Sequence, residues 1–156
     1  MSGSSDVADI LAIQNLLATY AFALDEKDYD ALDEVFTPDA TFDYTATGGV
    51  AGDWPKIKPW LAAALARFPV TQHLVGLPRI RLAGDRATCS TMLFNPMVLK
   101  REGGDIIFFV GGTYRDDLVR TPQGWRITRR VETDPWIKDL PSDFTPTPAG
   151  DQNKAP

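Results

Sequence analysis

The chain has 156 residues (17.2 kDa), is 44% hydrophobic and 24% charged, and carries a formal net charge of −5 with a pI near 4.8. This length implies one domain whose core is large enough to fold unaided, and the acidic balance argues against a nucleic-acid partner. The single cysteine, Cys89, excludes an internal disulfide, and the single histidine, His73, excludes metal motifs that need two histidines.

The opening MSGSSDVAD has no basic segment followed by an apolar one, and no uninterrupted apolar run approaches the roughly 20 residues of a membrane span. A cytoplasmic protein without membrane association is the expectation. Ser4, Ser5 and Asp6 are N-cap residue types. Ile10, Ile13, Leu17, Tyr20 and Leu24 then recur at helical spacing, which predicts an amphipathic helix ending near Asp25. On its helical wheel Asp25 projects with Ala18, Ala21 and Phe22, so two small residues leave room beside the carboxylate. A second short helix is predicted over 29–36, ended by Pro38 and Asp39, followed by a short strand over 40–44 and a Gly-rich loop over 47–53. A third helix is predicted over 54–68, with Pro55 and Pro59 near its start.

The pattern then changes to long β-like runs at 71–83, 86–100, 106–120 and 125–137. They are separated by Ala83-Gly84-Asp85, Glu102-Gly103-Gly104 and Thr121-Pro122-Gln123-Gly124, all suited to hairpins. Helices first and an antiparallel meander afterwards give an α+β fold, a curved and mainly antiparallel sheet wrapped around N-terminal helices. Residues 1–137 form the domain. Residues 138–156, with Pro141, Pro146, Pro148 and Pro156, read as an extended or disordered tail in which Phe144 is the one residue able to dock.

Alternation places His73, Val75 and Leu77 on one strand face until Pro78 offers a bulge. On the last strand Trp125, Ile127, Arg129 and Val131 share a face, opposite Arg126, Thr128, Arg130 and Glu132. An arginine in apolar company needs a partner or a cavity, so Arg129 either pairs with Glu132, Asp134 or a neighbouring subunit, or faces a pocket. Asn95 is similarly a polar group beside Thr91, Leu93 and Met97. Trp54, Trp60, Phe68, Phe94 and Phe109 belong to the core or to a pocket wall. Cys89 reads as an inert small apolar residue, and Gly111-Gly112 as a bend in a curved sheet.

The segments ILAIQNLLATYAFALDEKDYDALDEVFTPDATFDY, TQHLVG and GGTYRDDLVRTPQGWRI resemble the SnoaL-like branch of the nuclear transport factor-two-like superfamily, the cystatin-like α+β cone. The resemblance spans nearly all of residues 6–137. Its marks are Tyr-x4-Asp at the helix end, the Leu-x3-Phe-x-Pro-Asp-Ala segment, a histidine opening the strand after the third helix, and Gly-Trp-Arg-Ile. Within that branch the chain most resembles lyases: scytalone dehydratase, lindane dehydrochlorinase and bile-acid 7α-dehydratase.

The resemblance implies a His73–Asp25 dyad, with Tyr20 at the position of a tyrosine in the dehydratases and Arg129 at that of an inward arginine. The implied activity is that of a lyase or isomerase using no metal or organic cofactor, on a small hydrophobic cyclic molecule. His73 is the base, Asp25 its orienter, and Tyr20 or Tyr44 polarises or protonates an oxygen. Arg129, Asn95, Tyr44, Trp54, Phe68 and Phe109 form the substrate-binding set. The resemblance also implies a homo-oligomer associating through the outer sheet face, a trimer in preference to a dimer. Two other readings stay open: a binding or structural subunit like those of ring-hydroxylating oxygenases, and a hydrolase or cyclase with the same dyad.

Overall fold

The computed structural model describes residues 4–145 in the order α1 (Ser4–Asp25), β1 (Phe36–Asp43), β2 (Ala51–Asp53), α2 (Trp54–Leu65), β3 (Val70–Thr71), β4 (Leu74–Val75), β5 (Arg79–Ala83), β6 (Arg86–Leu99), β7 (Ile106–Thr121) and β8 (Gly124–Lys138). One sheet holds all the strands, in the order β2-β1-β8-β7-β6-β3, with β4 and β5 also paired to β6. Only β1 and β8 run parallel; every other pairing is antiparallel. Gly84, Gly104 and Gly124 take positive φ at the turns, the backbone that tight hairpins require.

The expected α+β cone is present, with differences that have local causes. Ser4 is already helical, so Ser4, Ser5 and Asp6 lie in the first turn of α1 and not ahead of it. The predicted second helix shrinks to one 3-10 turn, Ala31–Glu34, entered when the Ala31 N–H donates to Asp28 Oδ1 at 3.1 Å. The chain then enters β1 at Phe36, earlier than expected. Pro38, which has no N–H to donate, falls where the pairing of β1 with β8 is interrupted between Phe36 and Thr41. The third predicted helix stops at Leu65.

The predicted strand over 71–83 is three strands, β3, β4 and β5. The Gln72 N–H leaves the ladder to reach both Pro96 O and Asn95 Oδ1 at 3.1 Å, and this break isolates His73 between β3 and β4. Across Gly76, Leu77 and Pro78 the pairing with β6 slips by one residue, from Val75↔Leu93 to Arg79↔Ser90.

The core lies between the concave face and the helices. Ile13, Leu17, Tyr20 and Leu24 of α1 and Ile57 and Leu61 of α2 are buried there against Phe36, Phe42 and Ile127. α2 is fixed at its start by Asp53, whose side chain accepts from the Lys56 N–H at 3.2 Å. Residues 6–25 are long and apolar enough to cross a membrane by composition, and the apolar stripe of this helix is buried against the sheet. Pro146, Pro148 and Pro156 lie outside the described residues. Ahead of them Phe144 stacks on Phe68 at 5.9 Å and packs against Phe108 at 6.0 Å.

Register shifts between Asp117 and Leu118, and between Gly111 and Thr113, bend β7 and β8. Gly111 and Gly112 mark the second shift, and each answers a packing need. A Cβ at Gly111 would meet the Trp136 indole on the outer face, and one at Gly112 would come within 3.2 Å of Glu132 Oε1.

Candidate active site

Between the concave sheet face and α1 and α2 lies a cavity of about 240 Å³, predominantly apolar in its walls. Leu24, Leu61, Phe68, Leu93, Met97 and Phe108 contribute apolar surface, and Leu140 and Phe144 reach its rim from the chain beyond β8. Two groups of polar residues interrupt these walls.

The first surrounds His73, 8% exposed, in the gap between β3 and β4. Asp25, the last residue of α1, reaches it twice: Oδ1 lies 2.6 Å from the ring Nδ1, and Oδ2 accepts the His73 backbone N–H at 2.8 Å. Thr71 donates its hydroxyl to the same Oδ1 at 2.8 Å, and Lys27 Nζ donates to the Thr71 hydroxyl at 3.0 Å. Burial raises the Asp25 pKa, but the hydrogen bonds from His73, together with that from Thr71, outweigh it and hold the carboxyl below its ordinary value.

On the other side of the ring, Asn95 Nδ2 lies 3.1 Å from Nε2. The Gln72 N–H on Asn95 Oδ1 orients that amide, so its NH₂ faces the imidazole. A donor at Nε2 and a carboxylate at Nδ1 define the tautomer: the proton sits on Nδ1, and Nε2 carries the lone pair.

The second group is built on β7 and β8. Arg130 is 0% exposed and forms a two-pronged pair with Asp116, with Nε–Oδ1 and Nη2–Oδ2 both at 2.7 Å. Its guanidinium lies 4.1 Å from the ring centre of Tyr20 and 4.2 Å from that of Tyr114. The Tyr20 hydroxyl donates to that of Tyr114 at 3.1 Å. Burial, opposed by the Arg130 charge and the Tyr114 hydrogen bond, raises the Tyr20 pKa and keeps the phenol protonated. Glu132 also borders the cavity and accepts from the Thr47 hydroxyl at 3.0 Å.

Of the residues singled out in the sequence, His73, Asp25 and Asn95 meet directly. Tyr20, Tyr44 and Phe68 border the same cavity, and the Tyr20 and His73 rings are 6.3 Å apart. Three others are elsewhere. The side chain of Arg129 is 56% exposed and lies 3.6 Å from Asp117, while Arg130 takes the inward position. The cause is the shift at Asp117 and Leu118: Thr128 is an extra residue on β8, and beyond it the alternation reverses. Phe109 stacks on Phe94 on the outer face at 5.7 Å, because Phe108 holds the inward parity of β7. Trp54 is buried away from the cavity, where its indole N–H donates to Asp33 at 2.8 Å and its ring packs on Phe36 and Phe42.

Arg130, Asp116, Tyr114, Glu132, Thr47 and Lys27 were absent from the sequence-based set. Alternation read without a bulge assigns the wrong parity to Arg130 and Glu132. Gly112, over which the Glu132 side chain lies, was a signal that a side chain needed room there. Among the described residues no group of three or more His, Cys, Asp or Glu side chains is arranged to hold a metal.

Residues 5–131 match the model of the SnoaL-like domain family. The uncharacterized protein Rv2910c of Mycobacterium tuberculosis is 48% identical over 133 residues, covering 85% of this chain and 90% of its own. A candidate aromatic ring hydroxylase from Novosphingobium aromaticivorans is 28% identical with a TM-score of 0.74, over 85% of this chain and 94% of its own. Two more distant structures share the fold. The hexachlorocyclohexane dehydrochlorinase LinA type 2 is 18% identical (TM-score 0.73, 91% and 95% covered). A candidate scytalone dehydratase from Novosphingobium aromaticivorans is 19% identical (TM-score 0.73, 97% of each chain).

Proposed function

Because the chain belongs to the SnoaL-like domain family and has the cone fold of the nuclear transport factor-two-like superfamily, we propose that it is a lyase or isomerase that needs no cofactor and acts on a small apolar cyclic molecule through His73. One observation carries this reading: Asp25 holds Nδ1 at 2.6 Å while Nε2, with its lone pair, borders an apolar cavity beside Asn95. Two neighbours of the fold are named for eliminations, which makes elimination the first reaction to test. A cavity of roughly 150 Å³ is enough for benzene, so the volume of about 240 Å³ here suits a molecule of one or two rings.

In the proposed step the substrate displaces the Asn95 N–H from the Nε2 lone pair, and Nε2 takes a proton from a substrate carbon. The C–H bonding pair becomes the new π bond, and the leaving group on the adjacent carbon departs with its own bonding pair. Asp25 stabilises the imidazolium that forms and keeps the ring oriented. Displaced from Nε2, the Asn95 N–H is free to donate to a substrate oxygen. Tyr20 and Tyr44 polarise a carbonyl or supply the proton to a departing hydroxide. Tyr20 acts together with Tyr114, to which its hydroxyl is bonded. In an isomerisation the imidazolium returns the proton to a different carbon.

Turnover of cyclic alcohols, phenolic ketones and halides by wild type and His73→Ala tests the assignment. A loss of about 10²–10⁴-fold is expected, and equal turnover by both proteins removes His73 from the mechanism. Deuterium from solvent enters recovered substrate or isomerised product if a carbon acid is deprotonated. Its absence, with turnover intact, favours the hydrolase reading.

The same proposal includes self-association through the outer sheet face, where Leu74, Leu77, Met92, Phe94 and Trp136 are exposed. A trimer is the expected species in sedimentation equilibrium, and a monomer at micromolar concentration overturns this part.

A further inference from the structure

Glu132 is not accounted for by the fold or by the proposed chemistry. It is 6% exposed, it borders the cavity, and its one hydrogen bond is to the Thr47 hydroxyl through Oε2. A carboxylate offers about four acceptor positions, and removing it from water with one filled is unfavourable unless a ligand supplies the others. The adjacent cation does not supply them: Arg130 engages Asp116 through Nε and Nη2 at 2.7 Å, and its Nη1 makes no hydrogen bond to Glu132. The chain nevertheless makes room for this group: Glu132 Oε1 lies over Gly112, where a Cβ would come within 3.2 Å.

The sheet order places this group across the cavity from His73, since Asn95 lies on β6 and Glu132 on β8, two strands away. Asn95, bonded to His73, pairs with Val110 on β7, whereas Glu132 pairs with Tyr114. The Glu132 carboxylate reaches back over Gly112, two residues along β7 from Val110, so the two polar groups are separated by roughly 7 Å along the strand and by two strand spacings of about 4.8 Å across the sheet. An apolar ring system lying between these groups meets a base at one end and a hydrogen-bond acceptor at the other.

We propose that Glu132 is a specificity-determining residue that accepts a hydrogen bond from a ligand hydroxyl at the end remote from His73, so the preferred ligand is a ring compound hydroxylated at that end, not a hydrocarbon or a halocarbon. This rests on the reading of the cavity as the ligand site. It does not require that His73 be catalytic. Burial, opposed by Thr47 and by the Arg130 charge, raises the Glu132 pKa, which makes its carboxylate a stronger acceptor than a surface glutamate.

Calorimetric binding of naphthalene-1,5-diol and of 1-naphthol to the full chain at neutral pH tests the assignment. Wild type is expected to bind the diol at least about tenfold more tightly, the effect of one hydrogen bond to a charged group. Glu132→Leu is expected to abolish that preference, and Glu132→Gln, which keeps the shape and the Thr47 contact, to reduce it to within about threefold. An unchanged diol preference in the Glu132 variants overturns the assignment and leaves the cavity reading standing. Failure of wild type to bind either probe overturns the cavity reading and this assignment with it.

Discussion

At one end of the cavity Asp25 holds an imidazole at 2.6 Å; behind the other end Asp116 holds a guanidinium at 2.7 Å. The two contacts are nearly alike in length and both are largely buried. The difference lies in the cation. A guanidinium does not release its proton in a protein, so Arg130–Asp116 is a permanent charge pair enclosed by the rings of Tyr20 and Tyr114. An imidazole has a second nitrogen, and here that nitrogen borders the cavity. A short acid–base contact therefore does not by itself identify chemistry. What matters is whether the pair retains a proton-accepting atom that a ligand can reach.

The largest expected effect comes from breaking the permanent pair. Asp116→Ala leaves a buried, unpaired guanidinium and is expected to destabilise the fold by about 3–5 kcal/mol in urea denaturation. For a chain of this size that corresponds to a melting point lower by roughly 6–20 °C. A change under about 1 kcal/mol would mean that the pair is not holding β7 to β8. His73→Ala is expected to do the reverse. Asp25 keeps the Thr71 hydroxyl and the residue-73 N–H, so stability falls by only about 1 kcal/mol, while turnover falls by orders of magnitude.

The third prediction concerns acid. Because the Asp25 carboxyl is held below its ordinary value, its contribution is present above the unfolded value of about 3.9. It is lost as pH falls through the lower folded pKa. Urea midpoints of wild type and Asp25→Asn measured from pH 6 down to pH 3 are expected to converge toward the acid end. Parallel curves would show that the dyad adds nothing to stability. The smallest effect is expected from Arg129→Ala, because an exposed arginine 3.6 Å from Asp117 contributes within about 0.5 kcal/mol. Loss of turnover in that variant would return Arg129 to the site.

The end of the cavity that the sequence made legible is the one built by local rules. α1 carries Tyr20 and Asp25 at helical spacing, and His73 has no competitor in the chain, although the break after Thr71 that sets it against Asp25 was not legible. The other end was misread for one reason. Alternation along β8 assumes one residue per rung, and Thr128 violates it, so Arg129 was expected where Arg130 stands and Glu132 was assigned to the outside. Phe109 was expected in the binding set, but the inward position on β7 belongs to Phe108. Trp54 was recognisable as buried, but an indole beside Phe36 and one facing the cavity have the same local pattern.

By itself the sequence determined the class of fold, the order of helices and strands, the positions of the hairpins and the identity of the single titratable imidazole. Each of these follows from periodicity, turn chemistry or composition, which act over a few residues. The tertiary structure alone decided which carboxylate met which cation, which of two adjacent arginines turned inward, and that Glu132 faces the cavity. Those outcomes depend on register between strands distant in sequence, where one extra residue reverses every side chain beyond it.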